Sequence, residues 1–186
     1  MTDLVALPQE TRLAARQNLL KGAGWDQARA EPLAGDASLR SYQRLHRDSE
    51  TAVLMDAPPP QEDVRPFVAM ANWLKVKGLS APELYAVNAD AGYILLEDLG
   101  DGLYSSEMAS GADEARLYDA AVDVLAAWQQ HAPPEEFPPY DDDFLLLEVS
   151  YFFDWYLKQH LGQSVTDDQR SDFLGLWQTL LAGMNP

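Results

Sequence analysis

The stretch "LAGDASLRSYQRLHR", Leu33 to Arg47, reads as strand, tight turn, strand. Gly35, Asp36, Ala37 and Ser38 form the turn. Four basic or potentially basic side chains follow closely: Arg40, Arg44, His46 and Arg47. Two readings fit. Gly and Asp are standard turn formers, so this is an ordinary surface hairpin. Alternatively, small residues let an anion approach the backbone, and the turn holds phosphate oxygens through its N–H groups. A single glycine does not separate the two. The elements around the hairpin carry more information.

The chain has 186 residues, 47% of them hydrophobic, which suits one domain of ordinary size, possibly in two lobes, with a substantial core. Its net charge is -17, from 13 basic and 30 acidic side chains. That argues against nucleic-acid and anionic-membrane partners, because phosphate contacts require Lys and Arg. Residues 1–50 are balanced, with seven basic and seven acidic side chains, and the acidic excess lies in 51–186. The hairpin is the one basic locality. There is no cysteine, so disulfides, thiolate catalysis and cysteine metal sites are excluded. No run of 18 apolar residues and no export-type leader is visible, and the expected location is cytoplasmic.

A first helix is expected over "PQETRLAARQNLLKGAGW", stopped by Gly22. After the hairpin, "TAVLMDAPPP" is a short apolar strand, Ala52 to Met55, ended by prolines. In "EDVRPFVAMANWLKVKGL", Phe67, Met70, Ala71 and Leu74 recur at helical spacing and Gly78 closes the helix. Glu83–Val87 and Gly92–Glu97 read as antiparallel strands joined by "NADAG". Beyond Gly102 only helices are expected. One carries Leu117, Ala121, Val124 and Trp128 on a face. "FLLLEVSYFFDWYLKQHLG" is apolar nearly all round and is expected to be buried. "TDDQRSDFLGLWQTLLAG" opens with a Thr166/Gln169 capping box, carries Phe173, Trp177, Leu180 and Leu181 as its stripe, and is stopped by Gly183. Strands segregated from a later helical block make an α+β chain with a small sheet lobe and a helical lobe.

In this order of elements, "YILLEDLGDG" sits where a sheet strand would lead into a hinge between lobes. Taken alone, it is equally an edge strand with a polar exit turn. With "GDASLRSYQRL", "VLMDAPP" and "YFFDWYLKQHLG", it resembles the aminoglycoside-phosphotransferase-like kinases. The closer resemblance is to the bacterial cell-wall amino-sugar kinases that phosphorylate N-acetylmuramate and N-acetylglucosamine at the anomeric hydroxyl. The matching stretches spread over Gly35 to Gly162.

The resemblance implies a protein-kinase-like N-lobe over residues 1–100, a small antiparallel sheet plus helix. Residues 101–186 would be the first helices of a helical C-lobe. It places Asp36, Ala37, Ser38, Leu39 and Arg40 over the nucleotide phosphates, and Glu97, Asp98 and Leu99 at the adenine. It implies ATP and Mg²⁺ with a small-molecule hydroxyl acceptor.

Two departures stand out. Where kinases carry a strand lysine paired with a helix glutamate, the matching stretch ends in Met55, so Arg40 or another cation substitutes, or the strand only packs. Glu62 and Asp63 are then expected to serve the N-terminus of their helix. Second, none of His46, His131 and His160 opens an H-x-D-x-x-x-x-N catalytic loop. No catalytic base or metal ligand is assigned in this chain, which reads as the front part of a longer kinase, inactive alone. The competing reading is a kinase-like module that binds nucleotide or a partner without turnover; a third is an acidic interaction domain.

Asp141–Asp143 are read as a solvated helix cap rather than a metal site. Asp154 and Lys158, four apart, are expected to pair. Glu148 and Asp154 are weaker candidates for a substrate cleft. Trp73, Trp128, Trp155 and Trp177 occupy core-like positions.

Overall fold

The structure is a computed structural model, described for residues 6–34, 38–135 and 137–184. The chain divides into two compact units, Met1–Pro134 and Glu135–Pro186.

The first unit opens with helix α1 (Gln9–Gly22). The helix ends at Gly22, as expected, and the left-handed residue that follows is Gly24, φ +76°, whose N–H reaches the Lys21 carbonyl. Strands β1 (Arg29–Pro32), β2 (Ser41–Arg47) and β3 (Glu50–Asp56) follow. β1 ends at Pro32, so the strand expected at the start of the opening stretch lies upstream of Leu33; most of the turn expected at Gly35–Ser38 falls outside the described residues. Leu33 N–H donates to the Tyr42 carbonyl at 3.0 Å, one rung beyond β1. A second hairpin, not anticipated, joins β2 to β3 through Asp48 and Ser49. Asp48 takes φ 52°, a conformation that aspartate tolerates better than most residues.

Helix α2 (Arg65–Val76) ends at Gly78, φ +74°, as its pattern predicts. Strands β4 (Leu84–Asn88) and β5 (Tyr93–Glu97) complete an antiparallel sheet of order β1-β2-β3-β5-β4. Helix α3 (Tyr104–Ala109), absent from the sequence expectations, and α4 (Glu114–Trp128) close the unit. Asp113 caps α4 by accepting the Arg116 N–H. Of the stripe expected on α4, Leu117 and Ala121 are half-buried while Val124 and Trp128 are exposed. Trp128 and His131 both lie against Trp73 of α2.

The sheet has apolar residues on both faces. Leu45, Ala52, Leu54, Tyr93 and Leu95 pack with Leu20 of α1 and Trp25 just beyond it. Val53, Met55, Ile94 and Leu96 pack with Val64, Phe67 and Val68 at α2. Alternate residues of β3 and β5 thus serve opposite cores. Each Leu, Val, Ile or Met among them, fully buried, contributes about 1.5–3 kcal/mol. Arg12 of α1 locks the first arrangement: it pairs with Asp56, donates to the Ala91 carbonyl at 3.1 Å and lies 4.7 Å over the Tyr93 ring.

In the second unit, Asp141 caps α5 (Asp142–Tyr151) by accepting the Phe144 N–H at 3.0 Å, as expected. α5 continues as a π-helical stretch, Phe152–His160. Helix α6 (Asp167–Met184) opens on the predicted capping box, in which Thr166 and Gln169 exchange hydrogen bonds. α6 runs through Gly183, so that residue does not stop it.

The expectation of a buried helix after Asp143 is overturned. Phe144, Leu147, Tyr151, Phe152, Trp155 and Tyr156 are exposed, and Phe153 is buried. Within this unit α6 is the packing partner, and one neighbour covers only one stripe of an all-apolar helix. Trp128 and Trp155 are accordingly not core residues. Asp154 pairs with Arg170 of α6 at 2.7 Å in place of the expected Lys158.

Gly92 carries the turn between β4 and β5. It has φ +73°, its carbonyl accepts the Ala57 N–H at 2.8 Å, and an added Cβ would overlap the Ala57 carbonyl oxygen. Gly92→Ala is expected to cost about 3 kcal/mol, from left-handed strain together with overpacking. Urea unfolding checks this; Gly22→Ala, which meets open space, serves as the control.

Candidate active site

The loop before β2 and the exit of β5 hold the residues singled out by sequence. Gly35, Asp36 and Ala37 lie outside the described residues. Ser38 is exposed, and its hydroxyl accepts the Arg40 N–H at 3.2 Å. Leu39 is exposed too, and its N–H donates to a Glu62 carboxylate oxygen at 3.3 Å. The other Glu62 oxygen accepts Arg40 Nε at 2.9 Å. The loop therefore does face an anion, and that anion is Glu62. The hydrogen bond that Arg40 donates to Glu62 raises the Arg40 pKa; burial works against it, and the carboxylate's charge adds to the rise.

Glu62 does not serve the helix end as expected. Asp63 does, by accepting the Arg65 N–H at 3.0 Å. Met55 is 1% exposed in the core against α2, so its strand packs and its side chain meets no phosphate. A lysine there would bury an ammonium among apolar groups. Arg40 is the cation beside the loop.

At the other end, Glu97 still belongs to the strand ladder. Its N–H donates to the Glu83 carbonyl at 2.8 Å, and its carboxylate accepts the Glu83 N–H at 3.0 Å. Asp98 follows with its carboxylate turned inward, its side chain 6% exposed. Leu99 is exposed, and Gly100, φ +78°, donates its N–H to Asp98.

The holder of Asp98 is Arg44, which sequence reasoning had placed only in a basic patch. Arg44 donates to both Asp98 oxygens, at 2.7 and 3.1 Å, and to both Asp101 oxygens, at 2.9 and 2.8 Å. One guanidinium thus ties β2 to the exit of β5 through two bidentate pairs. The partners are 54 and 57 residues apart in the chain, so no local pattern announces them. The available signal was the pair of aspartates in "EDLGD".

The other basic residues of the hairpin are partnered as well. His46 meets Glu31 at 3.2 Å, and Arg47 pairs with Glu50 while lying 4.2 Å over Trp25. The basic locality is a set of ion pairs, and Arg40 is the member that stands at the loop.

Elsewhere, Glu148 accepts the Tyr140 hydroxyl and Asp154 is held by Arg170. Each is thus occupied by a local partner rather than joined to another carboxylate as a catalytic pair. Among the described residues, no group of three or more His, Asp or Glu stands together as a metal site.

Burial alone would raise the Asp98 pKa; hydrogen bonds from Arg44, Gly100 and Thr51 outweigh it, and the net shift is downward. Asp101 is also lowered, chiefly by its hydrogen bond to Arg44. A carboxylate depressed in the folded state stabilises above its unfolded pKa. That contribution is lost as pH falls through the folded value. Arg44→Gln is therefore expected to lower stability at neutral pH and to flatten its fall below roughly pH 4. Urea midpoints of both proteins between roughly pH 7 and pH 3 check this; parallel curves would show that Arg44 does not couple to these carboxylates.

Residues 29–186 match the model of a phosphotransferase enzyme family. The chain is 40% identical over 148 residues to an N-acetylmuramate/N-acetylglucosamine kinase of Pseudomonas aeruginosa, covering 77% of this chain and 43% of that protein. It is 41% identical over 150 residues to the protein of that name from Caulobacter vibrioides, 66% of this chain and 41% of the relative. The Pseudomonas putida kinase of the same name is 35% identical over 168 residues, 88% of this chain and 49% of the relative. The chain spans less than half the length of these relatives. The sheet with its helices, followed by further helices, has the architecture of a kinase-like N-lobe and the helices after it. On the match across 29–186, the chain belongs to the phosphotransferase enzyme family.

Proposed function

We propose that this chain is the nucleotide-binding front part of an ATP-dependent small-molecule kinase. The acceptor is the hydroxyl of an amino sugar, N-acetylmuramate or N-acetylglucosamine. The acceptor is argued from the names of the relatives. The nucleotide reading is carried by one observation: the Leu39 N–H and the Arg40 guanidinium converge on a single oxyanion, the Glu62 carboxylate. Such a donor set suits a phosphate equally.

In this reading residues 1–100 form the ATP-binding lobe and 101–186 begin the helical lobe. Asp36 to Arg40 cover the phosphates. Asp98 and Leu99, beyond the last ladder bond of Glu97, offer backbone groups to the adenine. ATP supplies the transferred phosphoryl group. The chain's own contribution is to hold the nucleotide and neutralise part of its charge through Arg40. Mg²⁺ would need oxygen ligands that the described residues do not group together, and no step is assigned to it. Among the described residues, no helix is long and apolar enough to cross a membrane.

A second reading, nucleotide binding without turnover, is favoured by one feature. None of the three histidines opens a catalytic loop that would place a base beside the acceptor. The 186-residue chain is accordingly expected to bind ATP and to transfer no phosphoryl group.

Arg40→Ala should weaken ATP binding by about tenfold or more, the scale of a lost charge-assisted contact. It should leave the fold intact, since a partly exposed ion pair contributes about 1 kcal/mol or less. Calorimetric titration with ATP checks both proteins. Unchanged affinity in folded Arg40→Ala would remove the phosphate role. An assay with ATP, Mg²⁺ and either sugar, on this chain and on a chain of the relatives' full length, tests the acceptor. Turnover by residues 1–186 would overturn the division of labour.

A further inference from the structure

The start of α2 does not require the Glu62 carboxylate. Asp63 already serves α2, and the Glu62 N–H is taken by the Pro58 carbonyl at 3.1 Å. Its carboxylate turns to the loop instead, with a side chain only 14% exposed. There it receives the Leu39 N–H and Arg40 Nε. A nucleotide phosphate on this loop would call on those same two donors. An N–H shared between two oxyanions bonds each more weakly, and a carboxylate left beside a polyphosphate repels it.

We infer that Glu62 is a built-in occupant of the loop's anion site, which nucleotide phosphate must displace in order to bind. The inference rests on reading residues 38–40 as a phosphate loop. On this view the Glu62 carboxylate satisfies the loop while no nucleotide is present and lowers the affinity for anions too weakly charged to displace it. Nucleotide binding then moves the segment before α2, because Glu62 must leave Leu39. The opposite role, a positioning residue that presents Arg40 to the phosphate, predicts the opposite sign. Removing Glu62 would then weaken binding.

The experiment is calorimetric titration of the 186-residue chain, wild type, Glu62→Gln and Glu62→Ala, with ATP and separately with tripolyphosphate. Both variants are expected to bind each probe about tenfold more tightly than wild type, the effect of removing one like charge at a partly exposed site. Equal or weaker binding by folded variants, with wild type binding ATP, overturns the inference and leaves the phosphate loop standing. Failure of all three proteins to bind either probe overturns the loop reading, and this inference with it. A measurement on wild type guards against a variant that does not fold. On saturation with ATP, both the Leu39 amide and the Glu62 carboxyl carbon resonances should shift. A Leu39 amide that moves while the Glu62 carboxyl carbon stays in place would show that the carboxylate is not displaced.

Discussion

Strands β3 and β5 are buried on both faces, and the first unit is organised by that fact. Ala52 and Leu54 need cover on one side and Val53 and Met55 on the other; Ile94 and Leu95 divide in the same way. Neither face can be left to solvent at about 25 cal/mol per Å² of apolar surface. Helix α1 answers for one face and α2 for the other. Polar ties sit where these layers meet: Arg12 with Asp56 and the Ala91 carbonyl on the α1 side, Arg40 with Glu62 ahead of α2. The same double burial explains Met55. The position that the resemblance matches to a kinase strand lysine is here part of the apolar core.

The acidic excess has a related consequence. In a chain with 30 carboxylates and 13 basic groups, an arginine readily finds an acid. Most such pairs at a surface contribute little. Arg44 differs because one planar fork engages two aspartates that bracket the exit of β5, and one of them is nearly enclosed. It holds the end of the sheet against the chain that leaves it, where a hinge would need a defined path. Arg40 differs because its partner is also the partner of a loop amide. One tie joins the sheet to the strand exit and the other joins the loop to the segment ahead of α2, at the two places where the nucleotide is proposed to bind.

The second unit follows a different rule. Helix α5 and its π-helical continuation carry aromatic residues on all sides, while α6 covers one stripe. Phe153, Phe173 and Arg170 form the packed seam: Phe173 lies edge-on to Phe153 at 4.9 Å and the Arg170 guanidinium 4.6 Å over it. Asp154 joins this seam through Arg170, and so turns from its neighbour four residues on.

Much of the fold was legible because it is written in local chemistry. The helical spacing of Phe67 to Leu74, the turn before Gly92, the Asp141 cap and the Thr166/Gln169 box depend on residues within a few positions of one another, and each appears where it was expected. So did the α+β order of elements and the resemblance to phosphotransferases, which rests on short contiguous motifs. What the sequence left undecided involves partners far apart in the chain. The hairpin's basic side chains looked like a positive patch; pairing, distant in the chain for Arg40 and Arg44, turned them into ties. Glu62 looked like a helix-end charge until the fold laid it against Leu39 and Arg40. The hydrophobicity of residues 144–157 was plain, yet whether it was buried depended on how many helices came to lie beside it. The sequence by itself determined most of the helices, strands and caps, though not α3 or the Asp48–Ser49 hairpin, because propensity, capping and periodicity act over one or two turns of chain. Only the tertiary structure decided which charge meets which and which apolar face is covered, because ion pairing and burial depend on distance in space.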